Sequence, residues 1–269
     1  MSGLKLRNRM IAMMIAAFGV FIAYSGPANA IATYSASSSA IVTITGFSTI
    51  GGPVPKPPTL TIEGTSEPSL SESGTVIGGT GTATITETTS VISGTPLAMI
   101  AGDSISNLAT ASGGATSPGG QSKSDQVTNG EIFFGNAGTE DITVTLGIDW
   151  VYSLMASTSG VNQKAQAFSS IIIDTLIFDS VGDQVGSDIF HVDELAIANG
   201  VNGTFEDLTD SATFSVDVVV LAGSVTSVGL FVDARGSAEV TAPSSLILFC
   251  IAVVGVGFSR HRSKKHRLA

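Results

Sequence analysis

The stretch that decides the fold is 142–154, which reads Ile-Thr-Val-Thr-Leu-Gly-Ile-Asp-Trp-Val-Tyr-Ser-Leu. Every even position in it carries an apolar or aromatic side chain, and the odd positions are mostly small or polar. Strict alternation with a period of two predicts a β-strand with one buried face. Trp150 and Tyr152 fall on that face together with its aliphatic residues. We therefore place both rings in the core, in preference to an exposed platform for stacking carbohydrate.

The same kind of pattern continues on both sides of this stretch. Ser170–Phe178 carries apolar residues at both odd and even positions, as expected of a central strand with two buried faces. No helical period separates the predicted strands, and no repeat of fixed length is present. We predict an all-β antiparallel sandwich with an Ig-like or jelly-roll outline. The further strands are predicted at 40–47, 60–63, 82–91, 212–220 and 226–240.

Three segments lack this alternation. Residues 51–58, Gly-Gly-Pro-Val-Pro-Lys-Pro-Pro, are predicted to be a stiff loop without ladder hydrogen bonds. Residues 96–110 allow one short helix, and the Gly/Ser-rich residues 111–124 are predicted to be a flexible loop. The residues that we place together on one face within 82–91 are Ala83, Ile85 and Val91.

The first thirty residues have the composition of a secretory signal peptide. A basic start precedes the apolar run Met10–Ala23, and Ala28 and Ala30 form a small-x-small cleavage site. We predict cleavage after residue 30, which makes 31–241 the exported domain. An uncleaved N-terminal anchor is the alternative. The basic residues of this segment are Lys5, Arg7 and Arg9.

The C-terminal residues 242–269 combine a short motif, an apolar run and a basic end. The apolar run is Leu246–Phe258. By the positive-inside rule, such a segment is typical of a single transmembrane sorting helix with a cytoplasmic end. A permanently tail-anchored protein is the alternative. The motif residues are Pro243, Ser244 and Ser245, and the basic residues are Arg260, Arg262, Lys264, Lys265 and Arg267.

Charge and cysteine usage limit the partners of the exported domain. It keeps four of the 12 Lys and Arg and all 22 Asp and Glu, a net charge of −18. Such a domain is not expected to bind nucleic acid or an anionic membrane surface through charge. The only cysteine of the sequence is Cys250, within the apolar run. No disulfide can therefore stabilise the exported domain, and its stability must come from a packed core.

Candidate catalytic residues are few. His191 is the one histidine of the exported domain, and it stands near Asp193 and Glu194. One histidine without cysteine is a poor zinc site, and no Gly-x-Ser-x-Gly motif is present. We interpret this segment as a polar turn between strands, assign no catalytic residue, and predict that the protein is not an enzyme. A secreted hydrolase with paired carboxylates remains an alternative.

Acidic residues at 179, 183 and 188 suggest a calcium site, since hard cations bind several carboxylate oxygens. The spacing of Asp179, Asp183 and Asp188 matches neither an EF-hand loop nor the nonapeptide calcium repeat. We favour a solvated hairpin loop and assign no cofactor, with Ca²⁺ in a carbohydrate-binding module as the alternative. Asp174 interrupts an apolar run, so it is either buried with a partner or lies on an exposed face.

The C-terminal segment resembles the PEP-CTERM sorting signal of bacterial exosortase substrates. Residues 240–244 stand in the place of the family's Pro-Glu-Pro motif, and Pro243 matches its second proline, whereas Thr241 and Ala242 replace the first proline and the glutamate. The resemblance implies export through the secretion machinery, transient anchoring in the inner membrane, and processing by an exosortase-type membrane transpeptidase. It further implies delivery to the cell surface or the exopolysaccharide matrix, in a structural or adhesive role.

Overall fold

A computed structural model describes residues 31–73, 81–178, 184–200 and 204–241 of the chain. Regular structure in these ranges consists of β-strands alone. This confirms the predicted all-β class. The strands are β1 (Ala32–Thr49), β2 (Gly52–Val54), β3 (Leu60–Ser73), β4 (Gly81–Ser93), β5 (Ser104–Ala115), β6 (Gln121–Asn136), β7 (Ile142–Thr158), β8 (Gln163–Phe178), β9 (Gln184–Asn199), β10 (Phe205–Val220) and β11 (Val225–Val240).

The strands form two antiparallel sheets. Sheet A has the order β10-β7-β1-β5-β4, with β2 paired to β1, and sheet B has the order β3-β6-β11-β8-β9. The inner faces of the two sheets pack against each other, with β5 of sheet A over β6 and β11 of sheet B. The architecture is therefore sandwich-like, and each sheet keeps one outer face that is free to carry other chemistry.

The core lies between the sheets and follows the predicted alternation. In β7 the side chains of Val144, Leu146 and Ile148 are fully buried. Trp150 and Tyr152 are 8% and 6% exposed, which confirms their assignment to the core. Burying one such aliphatic side chain contributes roughly 1.5–3 kcal/mol, and 19 of the 38 buried core residues are valine, leucine or isoleucine.

Residues 111–124 are not the flexible loop that was predicted. Strand β5 continues to Ala115 and β6 begins at Gln121, so only 116–120 connects them. The small residues lie here because they leave room for the buried ring of Tyr34, whose hydroxyl lies 2.8 Å from Ser124 Oγ. A Cβ atom on Gly113 would lie 2.6 Å from the Tyr34 hydroxyl oxygen, and one on Gly236 of β11 would overlap the ring. Small size, which suggested flexibility, instead serves close packing.

Two other segments also differ from their predictions. Within 51–58, residues Gly52–Val54 form β2 and pair with the end of β1. A positive φ of 109° at Gly52 allows the tight turn, and Pro53 is tolerated because β2 lies at the edge of the sheet. Within 96–110 no helix forms. A turn leads into β5 at Ser104, because the later residues of this segment alternate in burial as a strand does.

The shared face predicted for β4 is wrong at Val91. The register of β4 against β5 shifts between Ile85 and Thr88, which is the signature of a β-bulge. The extra residue moves every later side chain of β4 to the opposite face of the sheet. Val91 therefore lies on the outer face, where it is 54% exposed. Ala83 precedes the bulge and lies on the inner side, opposite Gly113.

Several predicted features lie outside the described residues. These are the signal peptide of residues 1–30, the sorting segment from residue 242 onward, and Asp179 and Asp183 of the acidic loop. In the part of the chain that the structure describes, no helix is long and apolar enough to cross a membrane.

Candidate functional site: two outer faces of different chemistry

The outer face of sheet A is built mainly of hydroxyl side chains, and we call it the hydroxyl face. Because side chains alternate along each strand, the odd positions of β1, β7 and β10 and the even positions of β5 share this face. Its residues include Thr33, Ser35, Ser37 and Ser39 on β1, Ser104, Ser106, Thr110 and Ser112 on β5, Thr143, Thr145, Ser153 and Ser157 on β7, and Thr209, Ser211, Thr213 and Ser215 on β10.

Charge is scarce on the hydroxyl face. Among its described side chains the charged ones are Asp149, Asp207 and Asp217, all on β7 and β10. Two of them accept hydrogen bonds from the face itself. Thr213 Oγ1 donates to Asp149 Oδ1 at 2.5 Å, and Thr145 Oγ1 donates to Asp217 Oδ1 at 2.7 Å. The face therefore offers a dense array of neutral donors and acceptors.

A shallow depression of about 340 Å³ lies on this face between β1, β7 and β10. Ile41 and Val151 place apolar surface there, and they are 36% and 41% exposed. Hydroxyl groups of Ser39, Ser211 and Thr213 surround them, and the Asp149 carboxylate also lines the depression. Apolar patches bordered by hydroxyl groups match the alternating C–H and O–H surface of a neutral sugar ring.

The outer face of sheet B carries most of the charge, and we call it the charged face. At its centre Arg235 forms ion pairs with Asp233 and with Asp125, where Nε lies 3.2 Å from Oδ1. The Arg235 guanidinium also lies 5.7 Å from the centre of the Phe168 ring, within the range of a cation–π interaction. One cation thus holds two carboxylates and an aromatic ring together.

Asp233 is unusual because a carboxylate on an outer face is only 1% exposed. Burial raises the pKa of Asp233 above its usual value, although the hydrogen bond from Arg235 and the positive charge of Arg235 lower it. The pKa of Arg235 is raised, first by that same hydrogen bond. Asp233 is therefore a carboxylate whose ionised form depends on a single neighbouring cation.

A second cluster on the charged face contains no cation. Gly229 on β11 lies opposite Glu131 of β6 on one side and Asp174 of β8 on the other. The Asp174 carboxylate occupies the space that a Cβ on Gly229 would take. This arrangement leaves a groove of about 370 Å³, which we call the Gly229 groove. Its other lining residues include Thr65, Glu67, Asn129, Ile172, Leu176 and Phe231.

The histidine segment is not the turn that was predicted. His191 lies within β9, opposite Ile172, and its Nε2 is 3.0 Å from Asp193 Oδ2. Both side chains are about half exposed on the charged face. Residues two positions apart on a strand lie on the same face, so His191 and Asp193 are neighbours. The predicted turn did not imply this contact.

The acidic residues singled out in the sequence are only partly described. Asp188 lies in β9, where its backbone pairs with Asp174. Asp174 is half-buried on the outer face, so the second of its two predicted alternatives is confirmed. Over the described ranges, no group of three or more His, Cys, Asp or Glu side chains is placed to hold a metal ion.

Four aromatic rings meet where the sheet edges β9 and β10 approach each other. Trp150 stacks on Tyr152 with ring centres 5.9 Å apart and contacts Phe190 at 5.2 Å, and Phe190 contacts Phe214 at 5.4 Å. Burial, followed by the charges of nearby acids, raises the pKa of Tyr152. The rings pack on one another, which fits a structural role.

Neither outer face was identified from the sequence as a surface. The signal for the hydroxyl face was present in the serines at 35, 37 and 39, which alternate with buried positions. The Gly229 groove carried no comparable signal, because its lining comes from four strands that are distant in sequence.

Comparisons of the chain with protein-family models, with curated proteins and with solved structures found no match.

Proposed function

We propose that this chain is an exported, surface-sorted structural or adhesive protein of the bacterial cell envelope or exopolysaccharide matrix. In this proposal, residues 1–30 direct export, and residues 242–269 form a transmembrane sorting helix that an exosortase-type enzyme processes. The support for sorting is the order of motif, apolar run and basic end in the sequence. The Ig-like or jelly-roll outline stays a prediction within this proposal.

The observation that carries the adhesive role is the hydroxyl face. A domain with a net charge of −18 keeps one broad outer face nearly free of charge. Charged side chains are the usual means of keeping an exposed sheet soluble, so their scarcity here favours a neutral ligand. We propose that neutral polysaccharide lies along this face and in the depression near Ile41.

Two hydroxyl deletions on β1 test this role. We expect Thr33→Val combined with Ser37→Ala to weaken binding of a soluble neutral β-glucan about fivefold or more, because each lost hydrogen bond costs roughly 0.5–1.5 kcal/mol. The matched control is Thr65→Val with Ser237→Ala on the charged face, which should leave binding unchanged. Affinity electrophoresis of the purified full chain measures both.

Two results would contradict the adhesive role: equal weakening in both double variants, or equally tight binding of an anionic polysaccharide such as alginate. The sorting proposal has a separate test, intact-mass spectrometry of the protein isolated from its host. We expect masses that correspond to loss of residues 1–30 and of the C-terminal segment. A product that keeps both ends and stays inside the cell would reject sorting without affecting the glycan test.

A further inference from the structure

Two acidic clusters of the charged face are each centred on strand β11, and one of them contains a cation. On β11, Arg235 and Gly229 point to the same side of the sheet because they are six residues apart. Arg235 lies between Asp125 of β6 and Phe168 of β8, and Gly229 lies between Glu131 of β6 and Asp174 of β8. At the position where the arginine supplies a positive charge, the glycine has no side chain, and the Asp174 carboxylate extends over it.

The cluster around Arg235 shows how the charged face binds a cation that belongs to the chain itself. Arg235 contacts two carboxylates and lies over an aromatic ring, while nearly half of its side chain remains exposed. A guanidinium held in this way has its charge paired and its flat surface packed. The cluster is therefore an internal example of cation recognition by the charged face.

The Gly229 groove has the same parts without the cation. Glu131 and Asp174 flank a central strand, so their Cβ atoms are about 9–10 Å apart, the distance across two strand spacings. Glu67 adds a third carboxylate at the edge of the groove. None of the three forms an ion pair within the described part of the chain. Ile172, Leu176 and Phe231 give the groove apolar walls.

We propose that the Gly229 groove binds a lysine or arginine side chain presented by an extended, cationic segment of a partner protein. The aliphatic stem of that side chain packs against Ile172 and Leu176, and its charged end lies between Glu131 and Asp174. Phe231, two residues from Gly229 on the same strand, adds an aromatic wall to the groove. The proposal rests on charge complementarity and on the apolar walls, and it does not depend on the hydroxyl face or on sorting.

Other ligands fit the groove less well. A neutral sugar would leave the carboxylate charges unpaired. Calcium takes six to eight oxygen ligands at 2.3–2.6 Å, and no metal-holding group of acids is found here or elsewhere in the described ranges. A basic side chain uses both the charge and the apolar walls.

Binding of a labelled hexapeptide of alternating arginine and valine tests the proposal, measured by fluorescence anisotropy with the purified full chain. We expect Glu131→Gln combined with Asp174→Asn to weaken binding about tenfold, because the cation loses both charged partners. The matched control, Asp149→Asn with Asp217→Asn, removes the same two charges from the hydroxyl face and should change binding less than about twofold. A glutamine–valine hexapeptide should not bind.

Equal weakening in both double variants would overturn the proposal, because it would show attraction to the overall negative charge alone. Stoichiometric Ca²⁺ binding that is lost in the groove variant would also overturn it, in favour of a metal site. Circular dichroism confirms folding of each variant. If the groove double variant does not fold, Glu131→Gln alone replaces it, with an expected weakening of about threefold, and no weakening would again reject the proposal.

Discussion

The hydroxyl face and the charged face lie on opposite sides of one sandwich and differ in nearly every chemical property. The first carries serine and threonine with three aspartates, and the second holds Lys123, Lys164 and Arg235 among many acids. Their inner faces, by contrast, both carry aliphatic and aromatic residues, and β6 also buries Ser122, Ser124, Gln126 and Thr128. Folding constrains the inner faces, whereas the outer faces are free to differ, so the difference between them points to what each surface contacts.

The largest expected effect comes from removing the side chain that is bonded to an acid on each face, a cation in one case and a hydroxyl in the other. Arg235→Ala should lower the free energy of unfolding by about 3 kcal/mol, because it leaves the buried Asp233 carboxylate without its cation. Thr213→Val removes the partner of the exposed Asp149 and should cost less than about 0.5 kcal/mol. Urea unfolding at pH 7 measures both values.

The double variant Arg235→Ala with Asp233→Asn is the control for this comparison. It should recover most of the lost stability, since no buried charge then remains. Similar losses for Arg235→Ala and Thr213→Val would show that the two faces hold their acids in equivalent ways.

A smaller effect should appear in the dependence of stability on pH. The pKa of Asp233 is raised in the folded protein, so between its ordinary value of 3.8 and the raised value the folded state binds more protons than the unfolded state. The contribution of Asp233 to stability is therefore present below that ordinary value and is lost as the pH rises through the raised pKa.

Unfolding of the wild type and of Asp233→Asn between pH 4 and pH 8 measures this contribution. We expect the stability of Asp233→Asn relative to the wild type to increase with pH across this range. Ser37→Ala, which removes no ionisable group, is the control and should show no such trend. A constant difference between Asp233→Asn and the wild type would contradict the role assigned to burial.

The smallest expected effect concerns calcium. Because the spacing of Asp179, Asp183 and Asp188 matches neither an EF-hand loop nor the nonapeptide calcium repeat, we expect added Ca²⁺ or chelator to shift the melting temperature by less than about 1 °C. A specific site at a hundredfold excess over its Kd would add about 2.7 kcal/mol, which is a shift of several degrees. A shift of that size would indicate a site among the acids near Asp188.

Sequence patterns predicted the strands with long, strict alternation and failed where small residues or bulges intervene. The alternation of 142–154 gave the correct buried face, because a half-buried strand needs apolar residues at every second position. Residues 111–124 were mispredicted because glycine and serine serve equally in flexible loops and under a large ring such as Tyr34. Val91 was misplaced because a bulge reverses parity without leaving a clear mark in the sequence.

The candidate surfaces were less predictable than the fold. His191 and Asp193 were named from the sequence, but their place within β9 and their contact were not. The pairing of Arg235 with Asp125 joins residues 110 positions apart in the chain, and no local pattern encodes such a distance. Only the register of β6 against β11 brings the two together.

By itself, the sequence determined the all-β class, the buried face of each regular strand, and the excess of acids in residues 31–241, because alternation and composition act locally and need no partner. The tertiary structure alone decided that the hydroxyls share one sheet and most charges the other. It also decided that Gly229 lies between Glu131 and Asp174, with the Asp174 carboxylate over the glycine. These features arise from strand order and register, which depend on contacts between residues that are remote in the chain.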